Sequence, residues 1–438
     1  MSIRPEASDP HSGSLEHLLK TIEPATARIL DASMGGEDPT TEDAIHLLGT
    51  SGPELGALKM TADELRRRRT GDVVTYVVNR NINFTNVCIK RCTFCAFSRD
   101  HRQEEGYFLP MDEILRRGRE AWELGATELC IQAGLPPQME GSYYIQLCEA
   151  IKGELPDVHI HGFSPEEVLY GSVRSRCTIR EYLQGLKDAG VGSLPGTSAE
   201  ILDQEVRDRI APGRINVEQW IEVITGAHDL GIPTTSTIMY GHVETDEHVA
   251  RHIALVRDIQ KATGGFTEFV PLSFIASEAP MYNQGLLPEV RKGPTWDEVV
   301  KVHAVSRLML DNWIPNLQVS WVKESLPLAQ KLLSVGVNDM GGTLINESIS
   351  TAAGAQYGQL VRPSQFRQLI RDAGRIPAER YTTYDIRHIY DDGDDPIEPL
   401  DLIEEDQVGR FGSFHELIKL DSYRFQHPKR AGKLQDGA

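Results

Sequence analysis

Apolar residues recur along the middle of the chain in two rhythms. Short runs rich in Val, Ile, Phe and Tyr alternate with longer stretches whose apolar positions return every three to four residues, a succession that predicts βα units around a parallel sheet. Strand-like runs lie at 82–87, 128–133, 159–164, 191–195, 234–240, 267–274, 316–321 and 335–339. Helix starts fall between them: Ser164-Pro-Glu-Glu167, Thr178-Ile-Arg-Glu181 and Thr295-Trp-Asp-Glu298 each place a hydroxyl three residues ahead of a glutamate, the capping-box pattern, with Pro165 at the favoured first helical position. Such units close most simply into an α/β fold, a (βα)8 TIM-type barrel whose active site lies at the C-terminal ends of the strands. Residues 1–75 read as a helical N-terminal extension, 76–384 as the barrel with its C-terminal part, and 385–438 as an acidic, flexible tail ending in a basic stretch around Lys429 and Arg430.

Charge narrows the function. The 438 residues carry a net charge of −19, which argues against nucleic-acid binding, since that needs a basic footprint. About half of the charge is local: residues 385–408 hold ten acidic side chains and one arginine, a run expected to be solvated. The opposite patch, Arg66 to Arg69, reads as an exposed helix end or a salt-bridging face. No apolar signal core opens the sequence and no apolar run is long enough to span a bilayer, so the expectation is a cytoplasmic enzyme with reduced cysteines.

Those cysteines carry the chemistry. Cys88, Cys92 and Cys95 lie in Asn86-Val-Cys-Ile-Lys-Arg-Cys-Thr-Phe-Cys-Ala-Phe97, a C-x3-C-x2-C spacing that gathers three thiolates on one loop. An iron–sulfur cube closed by protein has four ligands, so three leave one iron open to a small molecule. That open iron is the hallmark of radical S-adenosyl-L-methionine (SAM) enzymes, with a [4Fe-4S] cluster and SAM as cofactors. Two other readings stand beside this one. A structural zinc would want a fourth ligand, for which His101 is the nearby candidate; Cys130, Cys148 and Cys177 are scattered singly. An electron-transfer protein would carry four ligands per cube.

Strand ends supply further candidates. Gln132-Ala-Gly134 closes the second strand, where a glycine turn either lets backbone approach the SAM methionyl group or makes a tight turn. His159 and His161 share one face of the third strand, suited to substrate hydrogen bonding or to core packing. Glu200 ends Thr197-Ser-Ala-Glu200, at once a capping-box pattern and a candidate for the SAM ribose. Glu268 is a carboxylate within an apolar strand, calling for a functional partner or a salt bridge. Tyr240 and His242, with Gly241 and Glu244, end the fifth strand. Glu268, His242, Tyr240 and His161 are the catalytic candidates; Phe94, Gln132, Gly134 and Glu200 are the cofactor-binding ones.

Longer blocks are more specific than the cysteine spacing. Asn81-Ile-Asn-Phe-Thr-Asn-Val-Cys88, Ser193-Leu-Pro-Gly-Thr-Ser-Ala-Glu-Ile-Leu202, Thr234-Thr-Ser-Thr-Ile-Met-Tyr-Gly-His-Val-Glu-Thr245, Gly264-Gly-Phe-Thr-Glu-Phe-Val-Pro-Leu272 and Asn338-Asp-Met-Gly-Gly-Thr343 resemble the tyrosine-using radical SAM subunit of FO synthase, the 5-amino-6-(D-ribitylamino)uracil–L-tyrosine 4-hydroxyphenyl transferase family. The resemblance covers roughly residues 55–384. It implies a radical SAM barrel in which Cys88, Cys92 and Cys95 hold the cluster and Phe94 packs near the SAM adenine. It further implies L-tyrosine and 5-amino-6-(D-ribitylamino)uracil as substrates, 2-iminoacetate as a product, an electron donor, and a separate cyclising radical SAM subunit, in the synthesis of FO and coenzyme F420. Aminofutalosine synthase and the futalosine cyclase of menaquinone synthesis share the cysteine loop and the Thr-Met-Tyr-Gly style of block. One departure stands out: the family commonly shows two glycines and a histidine where this chain has Ala133-Gly134-Leu135-Pro136-Pro137.

Overall fold

A computed structural model describes residues 12–391, 393–403 and 407–426. Asp392 and the basic stretch around Lys429 and Arg430 lie outside them. Ten strands are named: β1 (Val73–Val77), β2 (Asn79–Ile82), β3 (Glu128–Ile131), β4 (His159–His161), β5 (Val191–Ser193), β6 (Thr234–Tyr240), β7 (Phe266–Ser273), β8 (Asp339–Gly342), β9 (Ile376–Arg380) and β10 (Ile386–Ile389).

Following the pairings around gives a closed ring. β2, β3, β4 and β5 are parallel neighbours, and β6 pairs with β7. Single parallel bridges complete the circuit: Leu194 to Thr234, Phe269 to Leu317, Gln318 to Asp339, and Arg80 to Ile345. Counting β1 and β2 as one strand and Leu317-Gln318 as another, the barrel has eight staves. Most residues of β6 are buried, as expected for a parallel strand covered on both faces. The ring is therefore the predicted one, with shifts at its ends. The first stave runs through 79–82 rather than 82–87, the last lies at 339–342 rather than 335–339, and most of 316–321 is not strand, since Trp321–Glu324 is already helical.

The first stave changes neighbours half-way along. Below Val78, β1 pairs with β8 on one side and β9 on the other; above it, β2 pairs with β3. Thus β9 fills at the lower end the gap that β3 fills at the upper end.

Helix starts follow the sequence. Ser164 with Glu167, Thr178 with Glu181 and Thr295 with Glu298 all form reciprocal capping boxes. The N-terminal extension folds into four helices, Ser12–Leu19, Pro24–Met34, Thr41–Leu48 and Gly52–Thr70. Its arginine patch is a salt-bridging face: Arg66 pairs with Asp63 at 2.7 Å, Arg67 and Arg68 with Glu64 at 2.7 Å, and Arg69 with Asp311 at 3.2 Å.

The acidic region departs from the expected solvated tail. β10 pairs antiparallel with β9, and Tyr390, Leu400, Phe411, Phe414 and Leu417 are buried. Its acids are interspersed with large apolar residues, and the described part uses these to strap itself along the barrel. Asp395 and Asp401 meet Arg367 at 2.5 and 3.4 Å.

Candidate active site

The cysteine loop follows β2 and opens on the C-terminal face of the barrel. There a cavity of ≈ 220 Å³ is lined by Cys88, Cys92 and Cys95 together with Phe94, Gln132, Gly134 and Glu200, and by residues following β4 and β5. The sequence-predicted cysteines and cofactor-binding candidates thus converge on one void.

Close approach of two loops explains Gly134. Its N–H donates to Thr85 O at 2.8 Å, and a Cβ there would stand 2.3 Å from the Val87 carbonyl oxygen. The turn after β3 therefore packs directly on the backbone leading into Cys88, and Ile89 N–H donates to Leu135 O at 2.8 Å. The Gly134 N–H is engaged within the protein, so its part in the cavity is to seat the cysteine loop. Ala133, the departure noted above, donates its N–H to Glu167 Oε1 at 2.9 Å. Asn83 Nδ2 donates to the Gln132 carbonyl at 2.7 Å, and Thr197 Oγ1 to its Oε1 at 3.2 Å.

Sequence reasoning missed the charged shell. Arg214 reaches Glu200 Oε1 at 3.1 Å, donates to Ser198 Oγ at 2.7 Å, and lies 3.4 Å from Cys92 Sγ, with its guanidinium 5.4 Å above the Phe94 ring. Arg207 meets the other Glu200 oxygen at 3.4 Å. Lys90 pairs with Glu166 at 3.0 Å. Glu200 is hence held by two arginines in a left-handed backbone conformation (φ 39°) and caps no helix; the following helix, Gln204–Ile210, is capped by Asp203. Only the fold brings Arg214 to the loop, and no local spacing marks it.

Burial shapes the thiols. It pushes Cys88 up and Cys92 up to about 12, opposed at Cys92 by Arg214 and at Cys88 by nearby backbone N–H groups of Leu135 and Lys90. Such thiols stay neutral until a metal displaces their protons. Among the described residues no three His, Cys, Asp or Glu side chains converge tightly enough to hold one metal ion. A zinc ion gathers four ligands on one point, whereas a cube offers a separate iron to each thiolate and spreads them. Three half-buried thiols on one wall, with a guanidinium at hand to offset negative charge, fit the cube.

The four catalytic candidates lie elsewhere. Glu268 is near the N-terminal end of the barrel, where Arg380 stands 3.7 Å away and the Tyr384 hydroxyl donates to it; it is part of a salt-bridged plug. His161 and His159 both contact Ser193 Oγ at 2.7 Å, inside the ring. Tyr240 faces away from the cavity that its neighbour Met239 lines, and accepts a hydrogen bond from Ser273 Oγ at 3.2 Å. His242 is fully buried, held by Met239 O at 3.0 Å and by the Val243 N–H at 2.8 Å. These two end β6 as packing and turn residues.

Comparison with known proteins decides the family. Residues 82–256 match the Radical SAM superfamily, and residues 263–393 match the CofH/MqnC C-terminal region. The 5-amino-6-(D-ribitylamino)uracil–L-tyrosine 4-hydroxyphenyl transferase of Methanothermobacter thermautotrophicus is 48% identical over 363 residues, covering 83% of this chain and 98% of that protein. The chain belongs to this transferase family. The FO synthase of Streptomyces coelicolor is 45% identical over 351 residues, 80% of this chain but 40% of that protein. In fold, the crystal structure of the [FeFe]-hydrogenase maturase HydG superposes with a TM-score of 0.65 at 16% identity, covering 86% of this chain and 80% of that one. Membership of a radical SAM transferase family implies SAM and a [4Fe-4S] cluster. Among the described residues, no helix of this transferase is long and apolar enough to cross a membrane.

Proposed function

We propose that this transferase joins the 4-hydroxybenzyl group of L-tyrosine to 5-amino-6-(D-ribitylamino)uracil and releases 2-iminoacetate, a step toward FO and coenzyme F420. The observation that carries the reading is the convergence of Cys88, Cys92, Cys95, Phe94 and Glu200 on one cavity at the C-terminal face of the barrel. Support for the substrates comes from the 48% identity to a protein named for that reaction.

Cys88, Cys92 and Cys95 would hold the cluster, with SAM beside it against Phe94 and Glu200. Bound there, the pair supplies a 5′-deoxyadenosyl radical, a hydrogen-abstracting species. The chain's own residues then position and shield. Arg214 offsets charge at Cys92 while its stacking on Phe94 and its pairing with Glu200 fix that wall. Glu167, pushed up to about 7 by burial, ties the start of the helix Pro165–Ser175 to Ala133 and keeps the cavity floor closed. Thr237, Met239, Leu272 and Ile349 complete the enclosure. Such enclosure suits chemistry that water and stray donors would quench.

Ring closure to FO would fall to a separate cyclising radical SAM subunit; this chain aligns with 40% of FO synthase. A one-electron donor is a further partner. A reducing cytoplasm suits the six free cysteines.

The test is anaerobic incubation of reconstituted protein with SAM, a reductant, L-tyrosine and the ribitylaminouracil. 5′-Deoxyadenosine and a hydroxybenzyl–uracil adduct are expected, converted to fluorescent FO when a cyclising enzyme is added. Substituting Ala for Cys88, Cys92 or Cys95 should abolish both products. Adduct formation by the triple variant, or aminofutalosine as the product, would overturn the reading.

A further inference from the structure

A second cavity, of ≈ 430 Å³, opens on the same face of the barrel beyond the end of β7. Ser273, Lys323 and Glu324 line it, with Lys292, Trp296 and Tyr357 among its other walls. Lys323 and Glu324 belong to the short helix Trp321–Glu324 that follows the seventh stave. Their position is therefore the one from which barrel side chains reach bound ligands.

The charges here are left open in a way that those around the cysteines are not. Lys323 has neither a hydrogen bond from its ammonium nor an ion pair with any described residue; Glu347 and Glu324 are the carboxylates near it, and Cys95 lies within range. Glu347 is committed elsewhere, accepting from Ser350 N–H at 2.8 and 3.0 Å and from Thr351 N–H at 3.2 Å. Glu324 is buried and takes one donor, the Ser273 hydroxyl. A cation without a partner and a carboxylate with capacity to spare thus adjoin one void, and the cation lies near enough to the cysteine loop to feel Cys95.

We infer that this cavity binds the zwitterionic head of an α-amino acid, Lys323 taking the carboxylate and Glu324 the α-ammonium. The assignment rests on the function proposed above, and chemistry selects tyrosine between its two substrates. The ribitylaminouracil offers hydroxyls and amides but no fixed charge, so it cannot neutralise a half-buried ammonium as a carboxylate does. Tyrosine carries one carboxylate and one ammonium on a single carbon, spaced for neighbouring residues of opposite sign.

Equilibrium binding tests it. Reconstituted, SAM-loaded wild type, Lys323→Met, Lys323→Arg and Glu324→Gln would be titrated calorimetrically with L-tyrosine, with tyramine, which lacks the carboxylate, and with 3-(4-hydroxyphenyl)propionate, which lacks the amine. Iron content and the SAM-induced change in the cluster's electron paramagnetic resonance spectrum check that each variant is intact. Lys323→Met should weaken L-tyrosine about 10- to 100-fold and leave tyramine unchanged, with Lys323→Arg recovering much of the loss. Glu324→Gln should weaken L-tyrosine and tyramine but spare the propionate. Intact Lys323→Met that binds L-tyrosine as wild type does would overturn the subsite alone. Wild type that binds no L-tyrosine would overturn the proposed function and the subsite with it.

Discussion

The two ends of the barrel hold the same kinds of buried charge and use them differently. At the lower end Glu268 and Asp339 face Arg380, which grips Asp339 with two nitrogens at 2.6 and 3.1 Å, while Thr75 and Tyr384 donate the remaining hydrogen bonds. Every group there is answered by another protein group. At the upper end the carboxylates of Glu166 and Glu200 are also paired, but the pairing forms a wall around a void, with three thiols facing it. A buried charge is thus no sign of a reactive centre by itself. What separates the ends is whether the set closes on itself or leaves a face for something else.

The comparison predicts that damage above appears in turnover and damage below in stability. The largest effect is expected from removing residues 404 onward. Phe414 packs on Phe97 at 5.4 Å and under the Arg99 guanidinium at 5.4 Å, and Phe108 N–H donates to Tyr423 O at 2.8 Å, so the strap is part of the cysteine loop's seat. Without it, iron retention and 5′-deoxyadenosine formation should be abolished, and hydrogen exchange should rise across 95–108. Turnover within twofold of wild type would show that the upper end holds itself.

Next is Arg380→Met, which strands Asp339 and Glu268. A loss of about 3–5 kcal/mol is expected, read as a thermal midpoint lower by about 3–5 °C, with part recovered by adding Glu268→Gln. An unchanged midpoint with lost turnover would reverse the roles of the two ends.

The pH dependence of stability sharpens the same contrast. Burial pushes Glu268 up to about 7, with Asp339 adding to the rise and Arg380 and Tyr384 opposing it. The folded protein then binds a proton that the unfolded chain, at about 4.3, has released. That contribution is complete below the unfolded value and disappears as pH rises through about 7. Between pH 5 and 8, urea unfolding should show a loss of up to about 3 kcal/mol that Glu268→Gln flattens.

The smallest effect, about 1.4–2.7 kcal/mol in the barrier, is expected for Arg214→Lys. Charge beside Cys92 survives while the two-sided grip on Glu200 and Ser198 and the stacking on Phe94 are lost. Turnover should drop about 10- to 100-fold with the thermal midpoint shifted by less than about 1 °C. A larger fall in the midpoint than in turnover would place Arg214 with the structural charges.

Local patterns were legible where local physics decides. The capping boxes at Ser164, Thr178 and Thr295 formed as read, because each needs only residues three apart. Cys88, Cys92, Cys95, Phe94, Gln132, Gly134 and Glu200 met in one cavity because strand ends share a face. Arg214, Lys323 and Phe414 escaped notice since nothing near them in sequence announces the partners that the fold supplies. Glu268 stayed open between a functional partner and a salt bridge for the converse reason: Arg380 and Tyr384, which decide for the salt bridge, come more than a hundred residues later. In residues 385–408 the density of acids hid apolar positions that anchor the chain.

The strap also sets a clock. Phe414, which covers the loop's outer side, is made 319 residues after Cys95. At ribosomal speeds of about 5–20 residues per second, the thiols spend about 15–60 s on a nascent chain without that cover. β9, which completes the lower seam beside β1, likewise follows it by about 300 residues. Oxidants and stray metals therefore have their easiest access to these thiols on the ribosome-bound chain, and the seat for a cluster is complete only once Phe414 has been made and packed.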